Sequence, residues 1–486
     1  MCDVCVFGAT AAGVAAAVGA CSTGADVVLV EPGRHLGGMV SGGLSWSGVG
    51  DIRVLGGFAA RFYELVAAHY DVPTWSIPGP EPHVAEAILC GLLQGVDVRL
   101  GSTDLPDAAV FVDASYEGDL LPRFGVSYRI GREPRSLHGE RWAGRQPATR
   151  PGKHNFPVLL SPFDEQGALL PHIRAPELDE WGWPRDEIGE GDGGLQAYGY
   201  RVCLTDREPN RIPFEEPPGY DPDELELLRR LLAAAPLEAA DVLGLVHDLL
   251  PNGNCDVNSI GPFSLNVLDG SNRDYPDGDD AARQRVREHH LRYTQSLLYF
   301  LAHDPGVPAR IRLEVGRWGL CADEFVDNGG WPHQLYVRDG RRMVGETVLC
   351  ERDVLAGALP PDTVALGSYN VDLREVERTW RALPEFDRVD AVFNEGYLSV
   401  AVPPYGIPYR ALTPRREQAS NLLMPVCLSA SHVAFGSVRV EPTLMLLGDA
   451  AGRAAAEAAR SGLAVQDVDV GALQLALRDA GQVLHV

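Results

Sequence analysis

The chain is most constrained by its first strand, turn and helix. Asp3-Val4-Cys5-Val6-Phe7 is a short apolar, β-branched run that stops at Gly8; an alanine-rich stretch from Ala11 to Cys21 follows, then Asp26-Val27-Val28-Leu29-Val30 ending in Glu31. An apolar run without polar alternation is the pattern of a parallel strand covered on both faces, and alanine is the strongest helix former. Strand, glycine turn, helix and strand make a βαβ unit, so the expected fold class is α/β with a parallel sheet. The turn Gly8-Ala9-Thr10-Ala11-Ala12-Gly13, with an acid closing the second strand, has the physics of a dinucleotide site. Gly8 permits the tight turn, Gly13 lets the helix pack on the strand, and the helix start at Ala11 faces a pyrophosphate. Glu31 then hydrogen-bonds a ribose diol. Thr10 stands where the motif has its middle glycine: its side chain narrows the approach to the phosphates, and its hydroxyl offers them a donor. On these residues alone, a glycine turn in an α/β domain without nucleotide stays open.

The next segment favours one cofactor. Pro32, Arg34, His35 and Leu36 lead into Gly37-Gly38-Met39-Val40-Ser41-Gly42-Gly43. A glycine doublet here resembles the second glycine motif of FAD-binding flavoproteins with two dinucleotide-binding domains, in which backbone amides meet the diphosphate and ribityl chain. The resemblance implies FAD rather than NAD(P), with Arg34 as a cation near the phosphates and Gly37, Gly38, Met39, Ser41 and Gly42 along the cofactor.

The resemblance extends along nearly the whole chain. FVDASYEGDL (111–120), LQAYGYRVCLTD (195–206), WPHQLYVRDGRRMVGE (331–346), LGSYNVD (366–372), VPPYGIPYR (402–410) and CLSASHVAFGSVRVEPTLMLLGDAAG (427–452) all resemble the FAD-dependent oxidoreductase family. That likeness implies a Rossmann-like FAD-binding domain of the glutathione-reductase type, discontinuous in sequence, with an inserted mixed α+β cap. It also implies covalently or noncovalently held FAD and oxidation of an organic substrate. Val98, Ala114 and Ser115 are expected beside the cofactor at strand ends, and Ser429, Ala430 and Ser431 at the end of a last sheet strand over 422–428. A helix beginning near Pro442 aims its positive end at the flavin's pyrimidine edge, with Arg439, Glu441, Thr443 and Leu444 around it. Arg439 and Glu441 either pair with each other or hold that edge. Two departures from the family pattern stand out. The connection between strands 96–100 and 108–115 is too short for the three-stranded meander common there. Asp449 replaces a glutamine, and Gly448-Asp449-Ala450-Ala451-Gly452 reads as helix interior rather than as a ribityl-contacting motif.

The expected organisation is a cofactor domain made of 1–125 and 400–486, with a substrate or cap domain over 126–399. Helices are expected at 57–69, 83–93 and 280–302, and a helix start at Asp221-Pro222-Asp223-Glu224; residues 132–192, rich in Pro, Gly and charge, read as irregular. With 42 Lys+Arg against 67 Asp+Glu the net charge is −25, which argues against nucleic acid and anionic membrane surfaces as partners. No apolar run reaches the length of a membrane helix and no export signal opens the chain. Nine scattered cysteines suit a reduced compartment, so a cytoplasmic location is expected. No His/Cys spacing suggests a metal. Neither a second dinucleotide turn nor an iron–sulfur motif is evident, so electrons are expected to leave to dioxygen or an external acceptor.

Hydride removal from a carbon bearing OH or NH needs a base and an orienting group. His432, next to the strand end at the flavin, is the leading base. His333, Tyr336 and Arg338 form a second cluster; if 333–338 is a strand, Gln334, Tyr336 and Arg338 share one face, with Arg338 free to hold a carboxylate or ring oxygen or to pair with Glu346. Asn328, Tyr369 and Asn370 are weaker polar candidates, and His35 is the candidate for a covalent flavin link. The expected activity is oxidation of a small polar alcohol or amine. An oxidase that desaturates or decarboxylates a natural-product intermediate is the alternative, and a non-redox FAD-containing binding protein a further one.

Overall fold

A computed structural model describes residues 2–486 except 77–78, 148–153, 177–187, 245–249, 251, 259 and 384–388. Strand β1 (Cys2–Phe7) leads through the glycine turn into helix α1 (Ala11–Cys21) and strand β2 (Val27–Glu31). Helices α2 (Gly57–Tyr70) and α3 (Pro82–Leu92) follow, then strands β3 (Asp97–Leu100) and β4 (Ala108–Asp113), all close to their expected bounds. β4 pairs in parallel with β1 on the side away from β2.

The middle of the chain builds a second core. Strands β5 (Val202–Thr205), β6 (Arg211–Ile212), β7 (Asn254–Val257) and β8 (Gly319–Cys321) form a sheet in the order β6-β8-β5-β7 with antiparallel pairing. Helix α4 (Glu226–Ala234), entered by the expected Asp221 start through a 3-10 turn, and the long helix α5 (Asp280–His303) cover it. Leu228, Leu231, Leu297, Leu301 and Leu320 fill the space between them. Strands β9 (Glu377–Leu383) and β10 (Val389–Glu395) make a hairpin. The returning chain adds β11 (Leu422–Leu423) beside β4, completing a five-stranded parallel sheet in the order β11-β4-β1-β2-β3. This mixed α/β architecture is that of a Rossmann-like FAD domain. Among the described residues, no helix is long and apolar enough to cross a membrane.

The end of the chain departs from expectation in two ways. The last strand is two residues long rather than spanning 422–428. Pro425 cannot donate to a ladder, and the amides around it turn elsewhere: Met424 N donates to Leu412 O and Ser429 N to Ala411 O. A short helix α6 (His432–Val438), capped by the Ser431 hydroxyl accepting from Ala434 N, then precedes helix α7 (Glu441–Ser461). Asp449 lies in the interior of α7, where its carboxylate accepts from Arg453 Nε at 3.0 Å. The glycines beside it serve packing against α1. A Cβ on Gly448 would stand 2.1 Å from Ala12 O, and one on Gly452 1.9 Å from Ala16 O.

Candidate active site

The glycine turn is shaped by contact on every side. Gly8 holds φ +89°, and a Cβ there would meet Ser115 N at 2.6 Å; on Gly13 it would lie 1.9 Å from Gly8 O. Thr10 caps α1: its Oγ1 accepts from Gly13 N at 3.1 Å and donates to Ala114 O at 2.8 Å. The hydroxyl expected at a phosphate is therefore engaged inside the turn. Glu31 closes the other side, its Oε2 accepting from Ala9 N at 2.7 Å and its Oε1 from Gly33 N at 2.6 Å. Burial pushes the Glu31 carboxyl above its ordinary range, while the two amides pull it back. Each oxygen keeps a second lone pair for a diol.

The glycine doublet docks onto this turn, Gly37 N donating to Ala9 O at 2.7 Å. Gly37 and Gly38 both take left-handed backbone angles that L side chains resist. Pro32 and Arg34 are exposed after β2, and Ser41 Oγ donates to Leu36 O. Gly42 lies under the chain at Gln334, where a Cβ would come within 2.3 Å of that side chain. Past β4, Asp113 accepts from Ser115 N, Ser115 Oγ and Leu120 N, fixing the bend at Ala114 and Ser115. Tyr116 ties three segments together: its hydroxyl accepts from Met39 N at 2.9 Å and donates to Glu441 Oε1 at 2.6 Å, at the start of α7. Burial raises the Glu441 carboxyl to about 7, against the pull of that hydrogen bond.

A cavity of about 610 Å³ opens between the glycine loop and the start of α7, lined among others by Leu44, Trp46, Tyr336, Arg338, Tyr369, Arg374, Tyr397 and Arg439. Residues 333–338 lie outside any ladder, correcting the strand expectation; Tyr336 N donates to Gly199 O and Val337 N turns back to Leu335 O. Tyr336 and Arg338 both reach the cavity. Arg439 donates to Tyr336 Oη at 3.2 Å and to Asp372 Oδ2 at 3.0 Å, and Glu441 takes Tyr116 instead, so the Arg439–Glu441 pair does not form. Arg338 stacks on the Tyr336 ring at 4.2 Å, donates to Ala197 O, and does not pair with Glu346. Burial, then the nearby Arg374, Arg439 and Arg201, pull Arg338 down to about 9 despite the opposing effect of Tyr336.

The two histidines behave differently. His432 is the first residue of α6 and buried; its N–H donates to Glu133 Oε2 at 2.9 Å, and its Nδ1 lies 3.1 Å from Asp339 Oδ2, off the line of a hydrogen bond. It does not line the cavity. His333 stacks on His35 at 4.0 Å, and neither of its buried ring nitrogens has a partner among the described residues. Burial and His35 lower His333 to about 4. Both ring nitrogens of His35 face carboxylates, Glu86 and Asp327.

A family model described as FAD dependent oxidoreductase matches residues 3–106 and 102–477. The chain belongs to the FAD-dependent oxidoreductase family. No curated protein matches it. Solved structures share part of its shape. OxyS anhydrotetracycline hydroxylase from Streptomyces rimosus is 17% identical with a TM-score of 0.21, over 27% of this chain and 35% of that one. THI4 from Thermovibrio ammonificans is 14% identical with a TM-score of 0.20, over 27% and 66%. The thioredoxin reductase of T. acidophilum is 16% identical with a TM-score of 0.15, over 23% and 34%. In each case the chain spans less than two thirds of the other protein's length.

For a member of this FAD-dependent oxidoreductase family, the residues present fit the cofactor. The turn brings backbone close at Gly8 and Gly13, Glu31 keeps lone pairs free for a diol, and the first amides of α1 have no partners within the helix. Buried polar atoms without a partner among the described residues include both His333 ring nitrogens, near the glycine loop, and Arg439 Nε and Glu441 Oε2 at the start of α7. The residues that would hold FAD are those of the turn, Glu31, the glycine loop, the bend at Ala114 and Ser115, and the start of α7 with Thr443 and Leu444. Val98 lies on β3 opposite Leu29. Ser429, Ala430 and Ser431 instead run against the 345–349 segment: Ala430 bridges Leu349, and the Ser429 hydroxyl accepts from Gly345 N.

Sequence reasoning missed Asp113, Tyr116, Trp46, Arg201, Asp372, Arg374 and Tyr397. Of these, Asp113 and Tyr116 lie inside the FVDASYEGDL block, Arg201 inside LQAYGYRVCLTD and Asp372 at the end of LGSYNVD, whereas Trp46, Arg374 and Tyr397 lie in none of the quoted blocks. Two clusters away from the cavity have ligand atoms spaced for a metal, His172/Asp269/His289 and Glu81/His83/Glu324.

Proposed function

We propose that this protein oxidises a small polar organic molecule, at a carbon bearing OH or NH, in the cavity between the glycine loop and α7. One observation supports the reading: Tyr336, Arg338 and Arg439 meet in a cavity that Leu44, next to the glycine loop, and Val440, at the start of α7, also line. When bound, FAD supplies a two-electron acceptor for a hydride, and its electrons pass on to dioxygen or an external acceptor. Residues 1–125 and 400–486 hold the cofactor, and 126–399 close over the substrate.

The chain's own groups divide the remaining work. Tyr336 Oη relays the heteroatom proton, taking it from the substrate as its own hydroxyl proton passes to water in the cavity, because it faces the cavity and is fixed by the Arg439 donor. Arg338 and Arg439 orient the substrate's polar end. His432, held by Glu133 and Asp339, keeps the start of α6 in place rather than touching substrate. Trp46, partly exposed, stands at the cavity edge and limits water.

The test begins with the visible spectrum of the purified protein before and after acid precipitation. Flavin bands that move to the supernatant are expected, followed by anaerobic bleaching with an oxidisable alcohol or amine. Tyr336→Phe should lower kcat by about 10²–10⁴-fold while the flavin stays bound. A colourless protein that takes up no FAD would sink the reading. A flavin that no donor bleaches would leave a non-redox FAD protein.

A further inference from the structure

The charge balance of the cavity wall is unusual for a chain of net charge −25. Arg201, Arg338, Arg374 and Arg439 all line it, against the single carboxylate of Asp372. Behind the wall, Arg201 is neutralised by Asp256, Nε to Oδ1 at 2.7 Å, and Arg439 by Asp372. Arg374 sits beside Glu375, whose charge holds it above its ordinary range against the cost of burial. Arg338 has no such partner. Its guanidinium is buried, no carboxylate lies within ion-pair distance among the described residues, and it meets the Ala197 carbonyl and the Tyr336 ring.

An uncompensated buried charge is costly. Planar guanidinium is the side chain that receives carboxylate through two parallel hydrogen bonds. The rest of the wall mixes small and aliphatic residues with the aromatic rings of Trp46, Trp75, Tyr336, Tyr369 and Tyr397. Resting on the reading of this cavity as the oxidation site, we propose that the substrate is an organic monocarboxylate with a compact apolar or aromatic body, and that Arg338 receives its carboxylate. The interaction neutralises Arg338 only when substrate is present, so recognition of a neutral alcohol or amine of the same shape is poor.

The probes are benzoate, its neutral isostere benzamide, and inorganic phosphate, titrated into the FAD-loaded protein while the flavin spectrum is followed. Benzoate is expected to perturb the spectrum saturably and to bind at least about tenfold more tightly than benzamide or phosphate. Arg338→Gln should weaken benzoate by about tenfold or more and leave benzamide unchanged, with Arg338→Lys between them, while each variant keeps its flavin. Equal affinity for benzoate and benzamide, phosphate binding as tight as benzoate, or unchanged benzoate affinity in R338Q would overturn the assignment. Calorimetry of the same titrations reads binding without the flavin. A chain that takes up no FAD yet still discriminates benzoate through Arg338 would therefore break the oxidation reading and not the anion site.

Discussion

In the cofactor half, α1 lies on α7 with glycine against carbonyl, and most of the surface between them is alanine, glycine and valine. In the region above it, buried arginines meet buried acids. Arg132 holds Asp192 at 2.6 Å and Glu395 at 2.7 Å, and Arg342 holds Glu133 at 2.8 Å. The first half is made exact by the absence of side-chain volume, which brings backbone close enough to cradle a dinucleotide. The second is made exact by charge, with buried guanidinium groups held by buried carboxylates. The two should therefore fail in different ways when altered.

The largest effect is expected at the helix seam. Gly452→Leu would place a Cβ 1.9 Å from Ala16 O, and because backbone cannot give way as a side chain can, the helices must separate. Overpacking of this kind costs about 3 kcal/mol or more, and should appear as loss of soluble protein or a large fall in urea midpoint. Gly462→Ala is the control: Gly462 has φ +63° but nothing within 4 Å of an added Cβ, so only backbone strain of about 1 kcal/mol is expected. Similar losses at both positions would mean that volume is not what holds the seam.

In the charged region, Arg132→Met should cost about 3–5 kcal/mol, because it leaves Asp192 and Glu395 without their partner. Adding Glu395→Gln to R132M should restore part of that loss. A double variant no more stable than R132M, by urea unfolding, would show that Arg132 acts through packing rather than charge.

Glu441 stands where the two halves meet, and its sign can be worked out. Its carboxyl is held at about 7 by burial, against about 4.3 in an unfolded chain. The folded protein therefore binds this proton more tightly, and the stability it contributes is complete below pH 4 and lost as pH rises through 7. The difference amounts to about 4 kcal/mol. Between pH 5 and 8, urea unfolding of flavin-free protein should show wild type losing most of this amount relative to Glu441→Gln. Parallel pH profiles for the two proteins would place the Glu441 charge in contact with solvent.

How much of this was legible depended on the kind of contact. The βαβ unit, the glycine turn, α2, α3, α5 and the placement of Asp449 inside a helix follow from local pattern, because strand and helix periodicity and capping are written within a few residues of each other. The last strand failed at Pro425, where propensity suggested a strand and tertiary hydrogen bonds to Ala411 and Leu412 drew the chain away. The strand expected at 333–338 failed for the same reason: the Tyr336 amide is drawn to Gly199 O and the Val337 amide to Leu335 O, so the alternating pattern joins no ladder. The cavity wall was only half legible. Tyr336 and Arg338 lie in one short segment, whereas Arg201, Asp372, Arg374 and Arg439 converge from three others, and no spacing rule connects them. His432 was expected beside the end of a last strand, whereas it opens α6, with its backbone N–H on Glu133 and its ring beside Asp339, both far away in sequence.

The smallest expected effect tests the one departure from the dinucleotide motif. Thr10 fills the position of the middle glycine, and its hydroxyl both accepts from Gly13 N and donates to Ala114 O. Thr10→Ala removes the cap and leaves the buried Ala114 carbonyl short of a donor, so about 1 kcal/mol should be lost. Thr10→Gly costs less at the cap and widens the approach to the turn. If the Thr10 side chain only supports the turn, both variants should bind FAD with a Kd within about threefold of wild type while T10A alone shows the lower urea midpoint. If it also crowds or contacts the phosphates, T10G and T10A will shift FAD affinity together and by more than their stabilities differ. Fluorescence titration of flavin-free protein with FAD separates the two cases.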